Sequence, residues 1–164
     1  MHGLRRLARC TPANTGARRS TIAFRRFAAH LNRMTTSTAS PVPVARAALP
    51  RTVSRLDAVY NLQRTALFTA AIAQQRYDLL WDAMHDRIHQ PYRESLVPGL
   101  AEALALPRLP GLLGIALSGA GPSILALIYD NAEEIGTKIS NCFRARNIDS
   151  TVRTLEVDNE GIRF

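Results

Sequence analysis

The sequence predicts an α+β domain in which helices pack on one side of a small, mostly antiparallel sheet. Apolar residues recur at helical spacing after residue 55, and two short buried runs flank a glycine-rich turn near residue 120. The resulting order is three helices, two strands, a helix and a strand, which is typical of this class. A chain of 164 residues is expected to form one domain with a core of useful size.

The first predicted helix spans residues 55–75. It opens at Ser54 and Asp57, which resemble a capping box with Asp in place of Glu. A second helix is predicted over 77–89 and a third over 99–106, each ended by a nearby proline. The apolar and neutral residues that follow one another at mostly helical spacing in the first helix are Leu56, Val59, Tyr60, Gln63, Ala66, Leu67, Ala70 and Ala71.

The second half of the domain is predicted to supply the sheet. Buried strands are expected over 112–117 and 123–129, and a final strand over 151–157. Asn131 is placed to cap a helix with two acids in its first turn and two bases in its last turn, which matches the helix dipole. These charged residues are Glu133, Glu134, Arg144 and Arg146.

Charge is distributed unevenly along the chain. Residues 1–55 contain eleven arginines and no acidic residue, whereas residues 56–164 contain ten basic and thirteen acidic residues. The net charge of +8 therefore belongs to the N-terminal segment alone. Nucleic-acid binding by the whole protein is not predicted from that charge.

The basic segment, residues 1–44, is predicted to lie outside the folded domain, which is expected to span 45–164. Its composition is compatible with an organelle transit peptide, a disordered or phosphate-binding tail, or an aberrant gene start. No apolar run approaches the length of a membrane span, so no membrane partner is expected. Cys10 and Cys142 are too far apart to indicate a disulfide framework or a zinc site, and a cytoplasmic setting fits.

Two histidines, His85 and His89, are spaced like the zinc ligands of a metalloprotease helix. The intervening acid is Asp86 rather than Glu, no third ligand follows at a suitable distance, and Pro91 interrupts a helix there. We expect His89 to form structural hydrogen bonds rather than to bind a metal.

A glycine-rich turn carries most of the functional information. Two glycines one residue apart permit positive φ angles and close approach of another chain or ligand, and successive N–H groups in such a turn can bind an anion. Taken alone, the pattern is weak evidence of function, because it is more often a tight structural turn. The turn residues are Leu117, Ser118, Gly119, Ala120, Gly121, Pro122 and Ser123.

Four elements together resemble the homoserine kinase family of the GHMP small-molecule kinases. The glycine-rich turn resembles the third conserved GHMP motif. The others are Ala-Arg-Ala-Ala-Leu-Pro at 45–50, Asp-Ala-Val-Tyr-Asn-Leu-Gln-Arg at 57–64, and Asp-Arg-Ile-His-Gln-Pro-Tyr-Arg at 86–93 with Leu-Val-Pro-Gly-Leu at 96–100. The resemblance covers residues 45–164.

The resemblance implies a GHMP kinase C-terminal domain and a part in the ATP-dependent phosphorylation of the L-homoserine hydroxyl, a step toward threonine. In that family an N-terminal half binds ATP and Mg²⁺, and no phosphate-binding loop of that type occurs in this sequence. The isolated chain is therefore expected to be inactive. A separate N-terminal half, L-homoserine and ATP are the partners that the resemblance implies.

The resemblance also assigns roles to individual residues. Arg93 and Arg46 match the arginines that hold the substrate carboxylate, a task suited to the two-pronged guanidinium group. The turn from Ser118 to Ser123 is expected on the phosphate side. The chain departs from the family just before Arg46, where residues 40–44 separate two elements that are almost adjacent in the family.

Two alternatives to a homoserine kinase fragment stay open. One is a non-catalytic module of the same fold that binds a small ligand or a partner. The other is a fragment of a different GHMP kinase, such as a mevalonate-type enzyme. Arg93 within His-Gln-Pro-Tyr-Arg argues against the second alternative.

Overall fold

A computed structural model describes the backbone of residues 29–32 and the whole of residues 42–157. The elements in chain order are β1 (Ala29–Asn32), α1 (Val42–Ala47), α2 (Arg55–Ala73), a 3₁₀ turn (Tyr77–Leu79), α3 (Leu80–Ala83), α4 (Gln90–Arg93), a 3₁₀ turn (Glu94–Leu96), α5 (Leu100–Leu104), β2 (Leu112–Leu117), β3 (Ile124–Ile128), α6 (Ala132–Arg144) and β4 (Thr151–Thr154).

The four strands form one antiparallel sheet in the order β2-β3-β1-β4. Strands β2 and β3 form a hairpin in which Leu117 pairs with Ile124 and Leu112 pairs with Ile128. The register shifts between Leu112 and Gly114, so the hairpin carries an irregularity at the end farther from the turn. Because pairing continues up to Leu117 and Ile124, the turn of residues 118–123 is fixed at one end of the hairpin.

The main core lies between the sheet and helices α5 and α6. Helix α6 contributes Ile135 and Ile139, which are at most 1% exposed, and α5 contributes Leu100, which is fully buried. They pack with alternate residues of β3, including Ile124 and Ala126. Because apolar burial is the dominant favourable term in folding, this cluster carries most of the stability of the described fold.

A second, smaller apolar cluster involves the helices before the sheet. Ala71 of α2, Leu80 of α3 and Leu113 of β2 are buried together, with Leu127 of β3 packed against them. Successive strand residues point to opposite faces, so Leu127 faces away from the main core. Helices α2 and α3 therefore lie on the side of the hairpin opposite α5 and α6.

The α+β class predicted from the sequence is confirmed, but the prediction that the helices pack on one side of the sheet is wrong, because the β2–β3 hairpin is apolar on both faces and is covered by helices on both. Ser54 caps α2 as predicted: its Oγ accepts a hydrogen bond from the Asp57 backbone N–H at 3.0 Å and donates to the Asp57 carboxylate, so one of the two hydrogen bonds of a capping box is present. Strand β2 has the predicted bounds, and α2, β3, α6 and β4 begin or end within three residues of those expected. Glu133, Glu134 and Arg144 lie in the predicted terminal turns of α6.

The predicted helix over 77–89 is wrong. The 3₁₀ turn leads into the short helix α3, which ends at Ala83, and Pro91 lies in the first turn of α4 instead of ending a helix. The cause is Asp86, whose carboxylate accepts hydrogen bonds from the backbone N–H groups of Ile88, His89 and Gln90. A side chain that satisfies three backbone donors starts a new turn, and proline is tolerated in a first turn because no N–H is required there.

Asn131 does not cap α6 as predicted. It is the residue before the helix, but its φ is +57° and its side chain makes no capping hydrogen bond. Its amide instead donates to the Pro110 carbonyl oxygen at 3.3 Å. Asparagine tolerates the left-handed conformation better than most residues, and here it serves the turn rather than the helix.

Strand β1 belongs to the segment predicted to lie outside the domain. Its backbone pairs with both β3 and β4, so four residues of that segment join the sheet. Helix α1 also begins before residue 45, and it buries Ala45. Pairing through the backbone leaves little trace in composition, which explains why the charge pattern did not indicate it. The remainder of the predicted tail, residues 1–28 and 33–41, lies outside the described residues.

No helix within residues 42–157 is both long and apolar enough to cross a membrane.

Candidate functional site

An open cleft of about 440 Å³ lies between α2, the segment 83–93, and the end of β2 with its turn. Three of the four elements that resemble homoserine kinases meet at this cleft. Its wall includes Asn61 and Arg64 from α2, Asp86 and Arg93 from the following segment, and Gly119 from the turn. Residues distant in sequence therefore converge on one concave surface that combines polar and apolar side chains, which makes the cleft the candidate site.

The glycine turn closes one end of the cleft. Ser118 N–H donates to the Ser123 carbonyl at 2.8 Å, and Gly121 N–H donates to the Ser118 carbonyl at 3.1 Å. Gly119 and Gly121 have φ angles of +59° and +84°, and the Gly121–Pro122 peptide bond is cis. Two of the turn's N–H groups therefore bond within the turn itself, while Ala120, Pro122 and the remaining residues stay partly exposed.

The two glycines face different surroundings. A Cβ at Gly119 would meet no atom within 4 Å, whereas one at Gly121 would lie 3.1 Å from Leu117 Cδ1 and 3.2 Å from Val97 Cγ2. Gly119 is exposed on the cleft side, and Gly121 approaches the core. The turn therefore presents its first glycine to the open cleft and anchors its second against buried side chains.

Arg93 joins the turn to α4. Its Nη1 donates to the Gly119 carbonyl oxygen at 2.7 Å, so the predicted substrate arginine and the predicted phosphate-side turn are in direct contact. Gln90, one turn earlier, is buried, and its Oε1 accepts from Leu117 N–H at 2.7 Å. These two hydrogen bonds hold α4 against the start of the turn and orient Arg93 along the cleft wall.

Arg46 lies elsewhere. It is exposed on α1, whose single buried residue is its neighbour Ala45. Consecutive residues point in directions about 100° apart on a helix, so burying Ala45 turns Arg46 to the surface. Arg46 does not line the cleft that Arg93 lines.

Asp86 organises the segment between α3 and α4. Asn61 of α2 donates its amide to Asp86 and accepts from the Arg87 backbone N–H at 2.9 Å. Asp86 also contacts His89 Nδ1 at 3.1 Å. This network ties α2 to residues 86–90, which lie 25 or more positions away in the sequence, and so fixes the width of the cleft.

The Asp86 carboxylate is only 15% exposed. Burial acts to raise its pKa, but the hydrogen bonds from Gln90 N–H, Asn61 and His89 together outweigh burial and lower the pKa below its ordinary value. Asp86 is therefore ionised at neutral pH. Its oxygens already accept several hydrogen bonds, so its role in the cleft is to position the segment.

A stacked cationic group lies beside the cleft. The guanidinium carbons of Arg64 and Arg87 lie 4.5 and 3.9 Å from the centre of the Tyr60 ring. Cations are attracted to the face of an aromatic ring, so Tyr60 holds both side chains in place. Arg64 lines the cleft, whereas Arg87 is exposed and lies 3.7 Å from Asp57.

Sequence reasoning on single residues did not assign site roles to Asn61, Arg64 or Asp86. All three occur within the motifs quoted for the resemblance, and their presence there was the available signal. His85 and His89 are not one turn apart on a helix, because residues 84–89 are not helical. The part of the chain described by the structure contains no cluster of three or more His, Cys, Asp or Glu residues able to hold a metal.

Comparison with known proteins finds a matching family and several relatives of similar sequence. Residues 68–145 match the family described as GHMP kinases C terminal. The homoserine kinase of Solibacter usitatus is 53% identical over 124 residues, covering 76% of this chain and 40% of that protein. The Aquifex aeolicus homoserine kinase is 44% identical over 120 residues, with 73% and 40% covered. The chain thus spans well under half the length of these relatives.

A solved structure is also similar to this chain. The crystal structure of homoserine kinase from Cytophaga hutchinsonii superposes with a TM-score of 0.71 at 28% identity, covering 80% of this chain and 42% of that one. The homoserine kinase of Saccharomyces cerevisiae is 46% identical over 122 residues, with 71% of this chain and 34% of that protein covered. This chain therefore carries a GHMP kinase C-terminal domain, and its described region is similar to that of homoserine kinases.

Proposed function

We propose that this chain is the C-terminal part of a homoserine kinase and that its cleft supplies part of the L-homoserine site. The observation that carries the proposal is the contact between Arg93 and the Gly119 carbonyl at the end of the cleft. It brings together two elements that the family resemblance assigns to the substrate and to the phosphate side. The identities of 44–53% to homoserine kinases over this region support it.

Arg93 is the proposed contact for the substrate carboxylate. Its Nη1 is engaged by Gly119, but its Nε is buried and has no hydrogen-bond partner among the described residues. A guanidinium held at one end offers its remaining N–H groups as a preorganised fork for a carboxylate. We include Arg46 as a second proposed contact on the family resemblance alone, since it does not line the cleft.

We further propose that ATP and Mg²⁺ are bound mainly by the portion of the relatives that this chain does not span. Asp86 is the carboxylate that lines the cleft, and its oxygens already accept hydrogen bonds from Asn61 and from three backbone N–H groups, so they are poorly placed to hold Mg²⁺. The glycine turn uses two of its N–H groups internally, which leaves it an incomplete phosphate cradle. The chain's own contribution is to bind and orient the acceptor molecule.

A reconstitution assay tests this function. The 164-residue chain is assayed for ATP-dependent phosphorylation of L-homoserine alone and together with the N-terminal portion of the Solibacter usitatus relative. We expect no turnover alone and measurable turnover with both parts. In the reconstituted enzyme, Arg93→Ala should raise the KM for homoserine by about tenfold or more and change the KM for ATP by less than about twofold.

The matched control is Arg108→Ala, because Arg108 is exposed and donates to the Asp78 carbonyl outside the cleft. It should leave both KM values unchanged. Strong activity from the chain alone would contradict the placement of the nucleotide site. Indifference of the reconstituted enzyme to Arg93→Ala would contradict the substrate contact. Homoserine binding without turnover would favour a non-catalytic module of the same fold.

A further inference from the structure

We propose that Arg64 is a second anion-binding residue of the cleft, which together with Arg93 forms a two-arginine subsite for one carboxylate. The inference rests on the proposed function for the identity of the ligand, the amino-acid substrate. It goes beyond that function because nothing in the family resemblance assigned Arg64 a role. Arg64 would act on the ligand directly and determine specificity for molecules that carry an oxyanion.

The first observation is a pair of unsatisfied donors. Arg64 Nε and Arg93 Nε are the two buried side-chain nitrogen or oxygen atoms in residues 42–157 that lack a hydrogen-bond partner. Both side chains line the same cleft, Arg64 from α2 and Arg93 from α4. Buried polar groups are almost always paired in folded proteins, so two orphaned donors at one cleft indicate a group that a ligand supplies.

The second observation concerns charge. Neither guanidinium forms an ion pair with a carboxylate among the described residues. The carboxylate that lines the cleft, that of Asp86, accepts hydrogen bonds from Asn61 and from three backbone N–H groups. The positive charge of the two arginines is thus left without a bonded counterion in the cleft. A ligand that carries an oxyanion would supply the missing counterion.

The third observation is preorganisation. The Tyr60 ring lies against the Arg64 guanidinium at 4.5 Å, and the Gly119 carbonyl holds Arg93 at 2.7 Å. Each arginine is held by a contact other than its Nε, and that N–H is buried in the cleft wall with its hydrogen bond unmade. Side chains that are already ordered lose little entropy when they bind, so this arrangement favours tight and specific recognition.

The size of the cleft limits the ligand class. A volume of about 440 Å³ accommodates a small metabolite rather than a polymer. Carboxylate and phosphate groups both match a guanidinium fork. The proposed function favours the carboxylate of an amino acid, and a free phosphate is the alternative source of the same oxyanion chemistry.

Arginine Nε resonances provide the direct test. The ¹⁵N-labelled 164-residue chain is titrated with L-homoserine, with 2-amino-1,4-butanediol, which lacks the carboxylate, and with inorganic phosphate. We expect the Nε–H signals of Arg64 and Arg93 both to shift with L-homoserine and neither to shift with the diol. The Nε–H signal of Arg87 should stay in place, because Arg87 stacks on Tyr60 but does not line the cleft.

Variants of Arg64 measure how much this side chain contributes to the affinity for L-homoserine. Arg64→Gln should weaken L-homoserine binding by about tenfold or more, the loss expected for a charge-assisted hydrogen bond. Arg64→Lys, which keeps the charge but loses the fork, should fall between wild type and Arg64→Gln. Arg87→Gln is the matched control and should change binding by less than about twofold. Circular dichroism of each variant checks that the fold is retained.

The outcomes separate the two proposals. If phosphate shifts both Nε signals and L-homoserine shifts neither, the two-arginine subsite stands and the carboxylate assignment fails. If Arg93 responds to L-homoserine and Arg64 does not, the inference about Arg64 is overturned while the proposed function survives. If no probe shifts Arg64 Nε, or if Arg87→Gln weakens binding as much as Arg64→Gln, Arg64 is a structural residue.

Discussion

Helices α6 and α2 both carry apolar residues at helical spacing, yet they bury them very differently. On the 13-residue α6, Ile139 and Phe143 are at most 4% exposed. On the 19-residue α2, all of which the structure describes, only Ala71 is buried, and Leu56 and Leu62 are 80% and 70% exposed. Periodicity indicates which residues share a helix face, whereas the neighbouring elements decide whether that face is covered.

The contrast divides the domain into two regions. The α6 region consists of apolar side chains packed on the sheet, so its stability comes from burial. The α2 region meets the rest of the domain through polar contacts, chiefly Asn61 with Asp86 and Arg87, and through one small apolar cluster. Stability is therefore expected to be concentrated on the α6 side and function on the α2 side.

The largest expected effect is in the α6 region. Ile139→Ala should lower the free energy of unfolding by about 3 kcal/mol, because it leaves a cavity in the main core. Urea denaturation followed by circular dichroism measures the loss. The matched change on α2 is Ile72→Ala, at a side chain that is 43% exposed, and it should cost less than about 1 kcal/mol. Equal losses would abolish the distinction between the two regions.

An intermediate effect is expected where the polar contacts of α2 converge. Asp86→Asn should lower the free energy of unfolding by about 1–3 kcal/mol at pH 7, because backbone N–H groups lose a charged acceptor. The pKa of Asp86 is lower in the folded chain than its ordinary value near 3.8. Its contribution is therefore fully present above that ordinary value and is lost as the pH falls through the lowered one.

Urea denaturation of both proteins from pH 7 to pH 2 measures this dependence. The difference between wild type and Asp86→Asn should stay constant down to about pH 4 and then shrink. Asp78→Asn is the control, because Asp78 is an exposed carboxylate that pairs with Arg76. That variant should show a much smaller difference at pH 7. A wild-type advantage over Asp86→Asn that grows on acidification would contradict the assigned hydrogen bonds.

The smallest effect should come from the outer face of α2. Leu62→Gln replaces an exposed leucine with another good helix former, so the free energy of unfolding should change by no more than about 0.5 kcal/mol. The same urea denaturation measures it. A loss of 1.5 kcal/mol or more would show that Leu62 is covered in solution, and the contrast between α2 and α6 would then need revision.

The sheet and its flanking helices could be predicted because their signals are local. Strand β2 is a continuous apolar run that ends at a glycine turn, and α6 carries acids at its start and Arg144 at its end. The same reasoning failed over 77–89, where hydrogen bonds to the Asp86 side chain compete with helix formation. Propensity does not report which side chain will bond to which backbone group.

The cleft was predictable only in part. Motif resemblance pointed to Arg93 and the turn, and the structure brings the two into contact. The motif resemblance gave no reason to distinguish Arg64 from other arginines. The stacking of Arg64 on Tyr60 and its unpaired Nε exist only after α2 has packed. Arg46 shows the opposite case. Its side chain faces outward because its neighbour Ala45 is the residue that α1 buries.

The hydrogen bond from Arg93 to the Gly119 carbonyl has an energetic consequence that reaches beyond the cleft wall. A ligand that draws the guanidinium toward itself also acts on the backbone of the turn. Coupling between two binding events is reciprocal. A second ligand that binds the turn must therefore change the affinity for the first ligand by the same factor by which the first changes the affinity for the second. The proposed substrate contact and the proposed phosphate-side turn are therefore expected to be coupled through one shared side chain, that of Arg93.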